Sequence, residues 1–269
     1  MDNRPIGVFD SGLGGLSIVR QLVAALPSED IVYFGDTGRV PYGTRSQQTI
    51  IRYAREDIDF LLQHDVKMII AACGTVSAVL PQSEIARLPV PFFGVLASAS
   101  NAACRSTRSG RIGVIGTASA INSGAYQRYI HNVLPQAEIF TQPCPLFVPL
   151  VENGLIAEDN QITNLTAEMY LAPIRSSDVD VLILGCTHYP LISGIISKAV
   201  GPDVALIDTG KETVIDVAGF LAKNDMLHDK DSVGTKRYFV SDDIDGFSGI
   251  AEELLGEKIT NIEKVDFEK

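Results

Sequence analysis

What this chain lacks narrows its function before anything it contains is considered. No apolar run approaches the roughly 20 residues needed to cross a bilayer. The longest, such as Met68–Cys73 and Val181–Leu184, span only a few positions. The opening residues, MDNRPIGVFDSG, show no basic start followed by an apolar stretch, so a cytoplasmic location and no membrane partner are expected. Basic residues are in deficit: 22 Lys plus Arg against 33 Asp plus Glu give a formal charge of −11. Nucleic acid is therefore not an expected partner, because phosphate affinity comes from clustered Lys and Arg. Cysteine is scarce: Cys73, Cys104, Cys144 and Cys186 are too few for a disulfide scaffold. They include no Cys-x-x-Cys pair, so a metal is not expected. The turn Ser11-Gly12-Leu13-Gly14-Gly15 is neither a dinucleotide fingerprint nor a P-loop. No lysine stands where a Schiff base would need it, so no cofactor is expected either.

The chain does hold 269 residues, 46% of them apolar, enough for one large domain or two small ones. Short β-branched runs alternate with segments of helical spacing. The expected strands are Ile6–Phe9, Ile31–Gly35, Val66–Ala72, Phe92–Val95, Arg111–Gly116, Val181–Gly185, Val204–Ile207 and Arg237–Val240. Leu16, Val19, Val23 and Leu26 form one helical stripe. Ile50, Ala54, Ile58, Leu61 and Leu62 form a second, entered through a capping box at Thr44-x-x-Gln47. Ile215, Val217, Ala218 and Leu221 form a third. Such alternation implies an α/β fold with mostly parallel sheets covered on both faces. The chain also resembles itself. Gly7-Val-Phe-Asp-Ser-Gly is echoed 106 residues later, and Cys73-Gly-Thr is echoed by Cys186-Thr 113 residues later. Two doubly wound halves are expected, with the last 83 residues returning to complete the first.

Ligands in such sheets bind beyond the carboxyl ends of the strands. Three sequence features fall there: Asp10-Ser11, Cys73-Gly74-Thr75 and Cys186-Thr187-His188. One cysteine ending an apolar strand is ordinarily a small core residue. Two in equivalent settings suit a specific chemistry, in which one sulfur removes a proton from a carbon and the other returns one to the opposite face. The base must be a thiolate, and a free thiol has a pKa of about 8.5, so a helix N-terminus or the His188 imidazole would have to help. Asp10 cannot lower a thiol pKa by its charge; it would accept a proton or orient an ammonium group. His64, His131 and His228 are expected to be solvated, Cys104 and Cys144 structural, and Met68 and Met169 to line the core or cleft.

Several motifs in order now make a family resemblance. They are Val8-Phe-Asp-Ser-Gly-Leu-Gly-Gly15, Tyr33-Phe-Gly-Asp-Thr-Gly-Arg-Val-Pro-Tyr-Gly43, Ala72-Cys-Gly-Thr75, Val114-Ile-Gly-Thr117, Cys144-Pro-Leu-Phe-Val-Pro-Leu-Val-Glu-Asn-Gly154 and Gly185-Cys-Thr-His-Tyr-Pro-Leu191. Together they resemble the glutamate racemases, a cofactor-independent family of the aspartate/glutamate racemase superfamily. The resemblance implies that Cys73 and Cys186 are the catalytic acid and base, with Asp10 and His188 assisting one thiol each. It assigns Ser11, Tyr42, Gly43, Gly74, Thr75 and Thr187 to the substrate, and Asp36, Thr117 and Glu152 to supporting places. It further implies one lobe from residues 1–97 plus 207–269 and another from 98–206, a cleft between them, a homodimer, and interconversion of L- and D-glutamate for peptidoglycan. Two positions depart from the family pattern. Gly74 stands where the family usually has Asn, and Ala118-Ser119-Ala120 offers a displaced hydroxyl where a second Thr is usual. Gly74 keeps open a relative acting on aspartate or another amino acid. A non-catalytic solute-binding module would also have two lobes around a cleft, but it would not need matched thiols.

Overall fold

The computed structural model describes residues 1–229, 234–256, 259 and 261–266. From the N-terminus run β1 (Ile6–Asp10), α1 (Leu16–Ala25), β2 (Ile31–Gly35), α2 (Gln47–Leu62), β3 (Met68–Ala71), α3 (Gly74–Val79), α4 (Gln82–Ile85), β4 (Phe92–Gly94) and α5 (Val95–Ser106). The chain then forms β5 (Arg111–Gly116), α6 (Ala118–Asn122), α7 (Ala125–Val133), β6 (Glu138–Pro143), α8 (Phe147–Glu152), α9 (Gln161–Arg175), β7 (Val181–Leu184), α10 (Ser193–Val200) and β8 (Ala205–Asp208). It finishes with α11 (Thr209–Lys223), β9 (Lys236–Val240), α12 (Ile244–Leu255) and β10 (Ile262–Lys264).

Among the described residues the strands form two sheets, ordered β10-β9-β2-β1-β3-β4 and β6-β5-β7-β8, and neighbouring strands are parallel. The fold is thus α/β with two doubly wound sheets, and β9 and β10 return to the first, as the length after Cys186 implied. The return follows β8, at whose end Asp208 caps α11 through the amides of Gly210 and Lys211.

Residue alternation explains why both faces of each sheet are covered. In the first sheet Ile6, Val8, Ile31, Tyr33, Met68 and Ile70 join a core with α1, α11 and α12. Their neighbours Phe9, Val32, Phe34, Ile69 and Ala71 join a second core with α2 on the opposite face. Since successive strand side chains point to opposite faces, a strand buried on both must be apolar at nearly every position. Burial of one such Ile or Val stabilises the fold by about 1.5–3 kcal/mol. The second sheet repeats the arrangement, with Leu182 and Leu184 on one face and Val181 and Ile183 on the other. Cys73 and Cys186 continue these alternations two residues past the strand ends, each in the core of its own side.

Several local expectations need correction. Thr44 does not cap α2; it ends a 3-10 turn over Tyr42–Thr44, and Ser46 accepts the Thr49 amide at 3.3 Å as the true N-cap. Val217 and Leu221 are buried as expected, but Ile215 faces outward at 53% exposure, and Thr213 and Val214 complete the buried face of α11. Met169 is exposed at 59% and lines neither core nor cleft. His64 is not solvated: its ring packs 4.5 Å from Phe60 and 4.7 Å from Phe239, and Nδ1 meets the Phe60 carbonyl. Strands β6 and β10 escaped the reading of apolar runs because they are half-buried edges carrying polar residues. Among the described residues no helix is long and apolar enough to cross a membrane.

Candidate active site

A cleft of about 400 Å³ opens between the carboxyl ends of the two sheets. Its walls hold Asp10, Ser11, Tyr42, Gly43, Cys73, Gly74, Thr75, Thr117, Glu152, Cys186, Thr187 and His188. These side chains come from the loops after β1, β2, β3, β5 and β7 and from the end of α8. The structure therefore gathers every expected site residue except Asp36. No site role was expected of the apolar part of the wall, formed by Val40, Pro41, Ala118, Pro145, Val148 and Pro149, although the quoted motifs run through most of it. The bond between Val40 and Pro41 is cis, which no residue pattern marks beyond the proline itself.

On the first-sheet side, Cys73 is buried and stands at the N-cap of the six-residue α3. Its Sγ lies 3.5 Å from the Ser11 hydroxyl. Burial pushes the thiol up to about 12; the charges of Asp10 and Cys186 add to this, and the Ser11 hydroxyl and the Val76 amide offset only part. Asp10 is itself buried, accepts the Gly12 amide at 3.1 Å, and is raised by desolvation against the pull of His188 and three backbone amides. This side therefore favours a protonated Cys73.

The second-sheet side differs. Cys186 precedes only a 3-10 turn, Tyr189–Ile192, so the expected helix N-terminus is not its principal neighbour. His188 is. Its Nδ1 sits 3.6 Å from Cys186 Sγ, and its Nε2 sits 3.2 Å from Oε1 of Glu152. Burial alone would lower the imidazole, but the Cys186 and Glu152 contacts and the charge of Asp10 prevail, raising it to about 10. A charged imidazolium held against sulfur gives a thiolate its counter-charge in a place with little water.

The remaining residues frame these two sides. Thr75 and Thr117 share a hydrogen bond of 2.9 Å across the cleft. Ser119, the displaced hydroxyl, donates to the Gly43 carbonyl at 2.8 Å and so ties the two sides together. Tyr42 turns its hydroxyl away from the cleft, donating its one proton to Asp36 and lying 3.0 Å from Oδ2 of Asp57. Asp36 and Asp57 also hold Arg39, while Asp36 accepts from Ser241 at 2.7 Å. Asp36 is thus a brace behind the Arg39–Thr44 loop, outside the cleft wall. Desolvation and the two carboxylates raise the Tyr42 phenol far above its ordinary value, so it remains a donor. Cys144 is buried beneath the cleft, with its carbonyl accepting from Tyr189 at 3.0 Å.

Comparison with known proteins matches residues 6–216 to the Asp/Glu/Hydantoin racemase family. The glutamate racemase of Geobacter metallireducens is 43% identical over 265 residues, spanning 98% of this chain and 97% of its own. The chain belongs to the glutamate racemase family. Solved structures of that family agree in fold. The glutamate racemase of Francisella tularensis, in complex with D-glutamate, superposes with a TM-score of 0.92 at 39% identity, covering 100% of this chain and 99% of that one. The glutamate racemase isoform RacE1 of Bacillus anthracis superposes with a TM-score of 0.95 at 35% identity, covering 99% of both chains.

Proposed function

We propose that this chain interconverts L- and D-glutamate by a two-base exchange at the α-carbon, with Cys73 and Cys186 as the two bases. The observation that carries the reading is the convergence of two buried thiols in one cleft, one beside Asp10 and Ser11 and the other beside His188. In one direction the Cys186 thiolate, paired with imidazolium, removes the α-proton, and the Cys73 thiol delivers its own to the opposite face. In the other direction the roles reverse. The α-C–H is a weak acid, so donors fixed in a dry site must stabilise the developing charge. Thr75, Thr117, Thr187 and Ser11 line the cleft and supply hydroxyls for the substrate's carboxylates. With a chain charge of −11, these local donors, not the overall field, must hold an anionic amino acid.

The same reading assigns residues 1–97 plus 207–269 to one lobe and 98–206 to the other, closing on the substrate. The two sheets, each with cores on both faces, support two lobes, but β8 (Ala205–Asp208) pairs with β7, so the second boundary falls after Asp208. It also places the protein in the cytoplasm and assigns its product, D-glutamate, to peptidoglycan synthesis. A homodimer is proposed on the apolar face of α9, where Ile162, Leu165 and Met169 are exposed within two turns. The deciding experiment is chiral chromatography after incubation with L-glutamate and, separately, L-aspartate. Formation of D-glutamate in preference to D-aspartate is expected. Preference for aspartate overturns the substrate, and calorimetric binding without turnover of either overturns the enzyme.

A further inference from the structure

Three glycines of the first-sheet side press on the second-sheet side around the cleft. A Cβ added at Gly14 would lie 2.7 Å from Nδ1 of His188 and overlap the Thr187 hydroxyl. One added at Gly43 would lie 2.9 Å from Cβ of Thr117. One added at Gly74 would overlap the carbonyl oxygen of Gly185 and lie 3.3 Å from its carbon.

Gly74 stands apart from the other two. It adjoins Cys73, and Gly185 adjoins Cys186, so this contact joins the two cysteine-bearing loops themselves. What it meets is backbone, which cannot swing aside as a side chain can. Its own backbone gives no reason for glycine, since Gly74 is not among the residues with positive φ. It opens α3, where helix propensity favours alanine over glycine. Contact with Gly185 is the one constraint left that excludes a side chain.

We infer that Gly74 is a positioning residue: by letting the Cys73 loop rest on the Gly185 carbonyl, it sets the gap between the two sulfurs. The inference rests on the two-cysteine reading above. It also gives the departure from the family's usual Asn a physical meaning. A side-chain amide is lost, and a closer approach of the two loops is gained at the point where the α-carbon must be shared.

Gly74→Ala tests this. A methyl group wedged against the carbonyl must move the loops apart by a large fraction of an ångström, and displacement near 1 Å can cost about a hundredfold in rate. The expected result is a kcat at least tenfold lower with a KM changed less than threefold, while the melting temperature holds. Gly219→Ala, on the exposed face of α11 with nothing within 4 Å of the added carbon, should leave both constants unchanged. Dibromobimane, a short thiol bridge, reads the gap without substrate. In a Cys104→Ser background it should link the Cys73 and Cys186 peptides, and Gly74→Ala should cut that yield at least threefold. Unchanged kcat and unchanged cross-linking in a folded Gly74→Ala overturn the inference. Failure of the unmodified chain to racemise glutamate overturns the substrate reading instead, since the cross-link does not depend on it.

Discussion

Cys73 and Cys186 each follow a fully buried parallel strand and each face the same cleft, yet their surroundings carry opposite charge. Beside Cys73 stand a carboxylate and a hydroxyl, and burial holds that thiol near 12. Beside Cys186 stands an imidazole held near 10 and backed by Glu152. Topological repetition supplied two equivalent positions, and different neighbours gave them different electrostatic surroundings. Two-base racemisation needs that difference, because two thiols of equal state would provide either two acids or two bases. Enantiomers have equal free energy, so kcat/KM must be the same in both directions; asymmetry between the sides can appear only in kcat and KM separately.

Removing either sulfur erases the comparison altogether. Cys73→Ala and Cys186→Ala should each lower racemisation at least about a thousandfold, at the upper end of what a positioned acid or base contributes. Chiral chromatography of both directions measures it, and substantial activity in either variant contradicts the paired role. Equalising the charge of the two sides has the next largest effect. His188→Asn, or Asp10→Asn on the other side, should cost about a hundredfold in kcat/KM, equally in both directions. Steady-state kinetics from both enantiomers checks this, and an unaffected Asp10→Asn would remove that carboxylate from the account.

The pH dependence sharpens the contrast further. His188 folds with a pKa raised from its ordinary 6.5 to about 10, so its contribution to stability is complete below 6.5 and lost as pH rises toward 10. Cys73, raised from 9.0 to about 12, adds a loss from 9 upward. Urea midpoints of the unmodified chain should therefore fall between pH 7 and 10, and fall less in His188→Asn. Cys186→Ala should bring the His188 ring resonances, followed by NMR, to a lower pKa, because the strongest raising partner is gone. The smallest effect belongs to Glu152→Gln. Glu152 is partly exposed, so the loss should be a few-fold in kcat, with the alkaline limb of the rate profile moved to lower pH.

Much of this was legible in the residues. Near-continuous apolar runs such as MIIAAC and VLILGC can only be strands buried on both faces, and they located both cysteines correctly at strand ends. The edge strands Glu138–Pro143 and Ile262–Lys264 were not legible, since polar residues interrupt their apolar signature, whereas the other two edges, Phe92–Gly94 and Ala205–Asp208, keep a readable apolar run. Nor was the orientation of Tyr42, whose hydroxyl is fixed by Asp36 and by Asp57 on α2, fifteen positions on. The Gly74–Gly185 contact was equally hidden, because 111 residues separate two backbones that only the tertiary fold brings together.

The central claim, that two different groups act on opposite faces of one carbon, has a direct isotopic test. L-glutamate is incubated with the protein in deuterated water, and both enantiomers are analysed by mass spectrometry at early times. The account predicts that the first D-glutamate formed carries deuterium at the α-carbon while unconverted L-glutamate still carries protium. D-glutamate that keeps the original protium, or exchange into L-glutamate as fast as conversion, would point to a single base serving both faces and contradict the account.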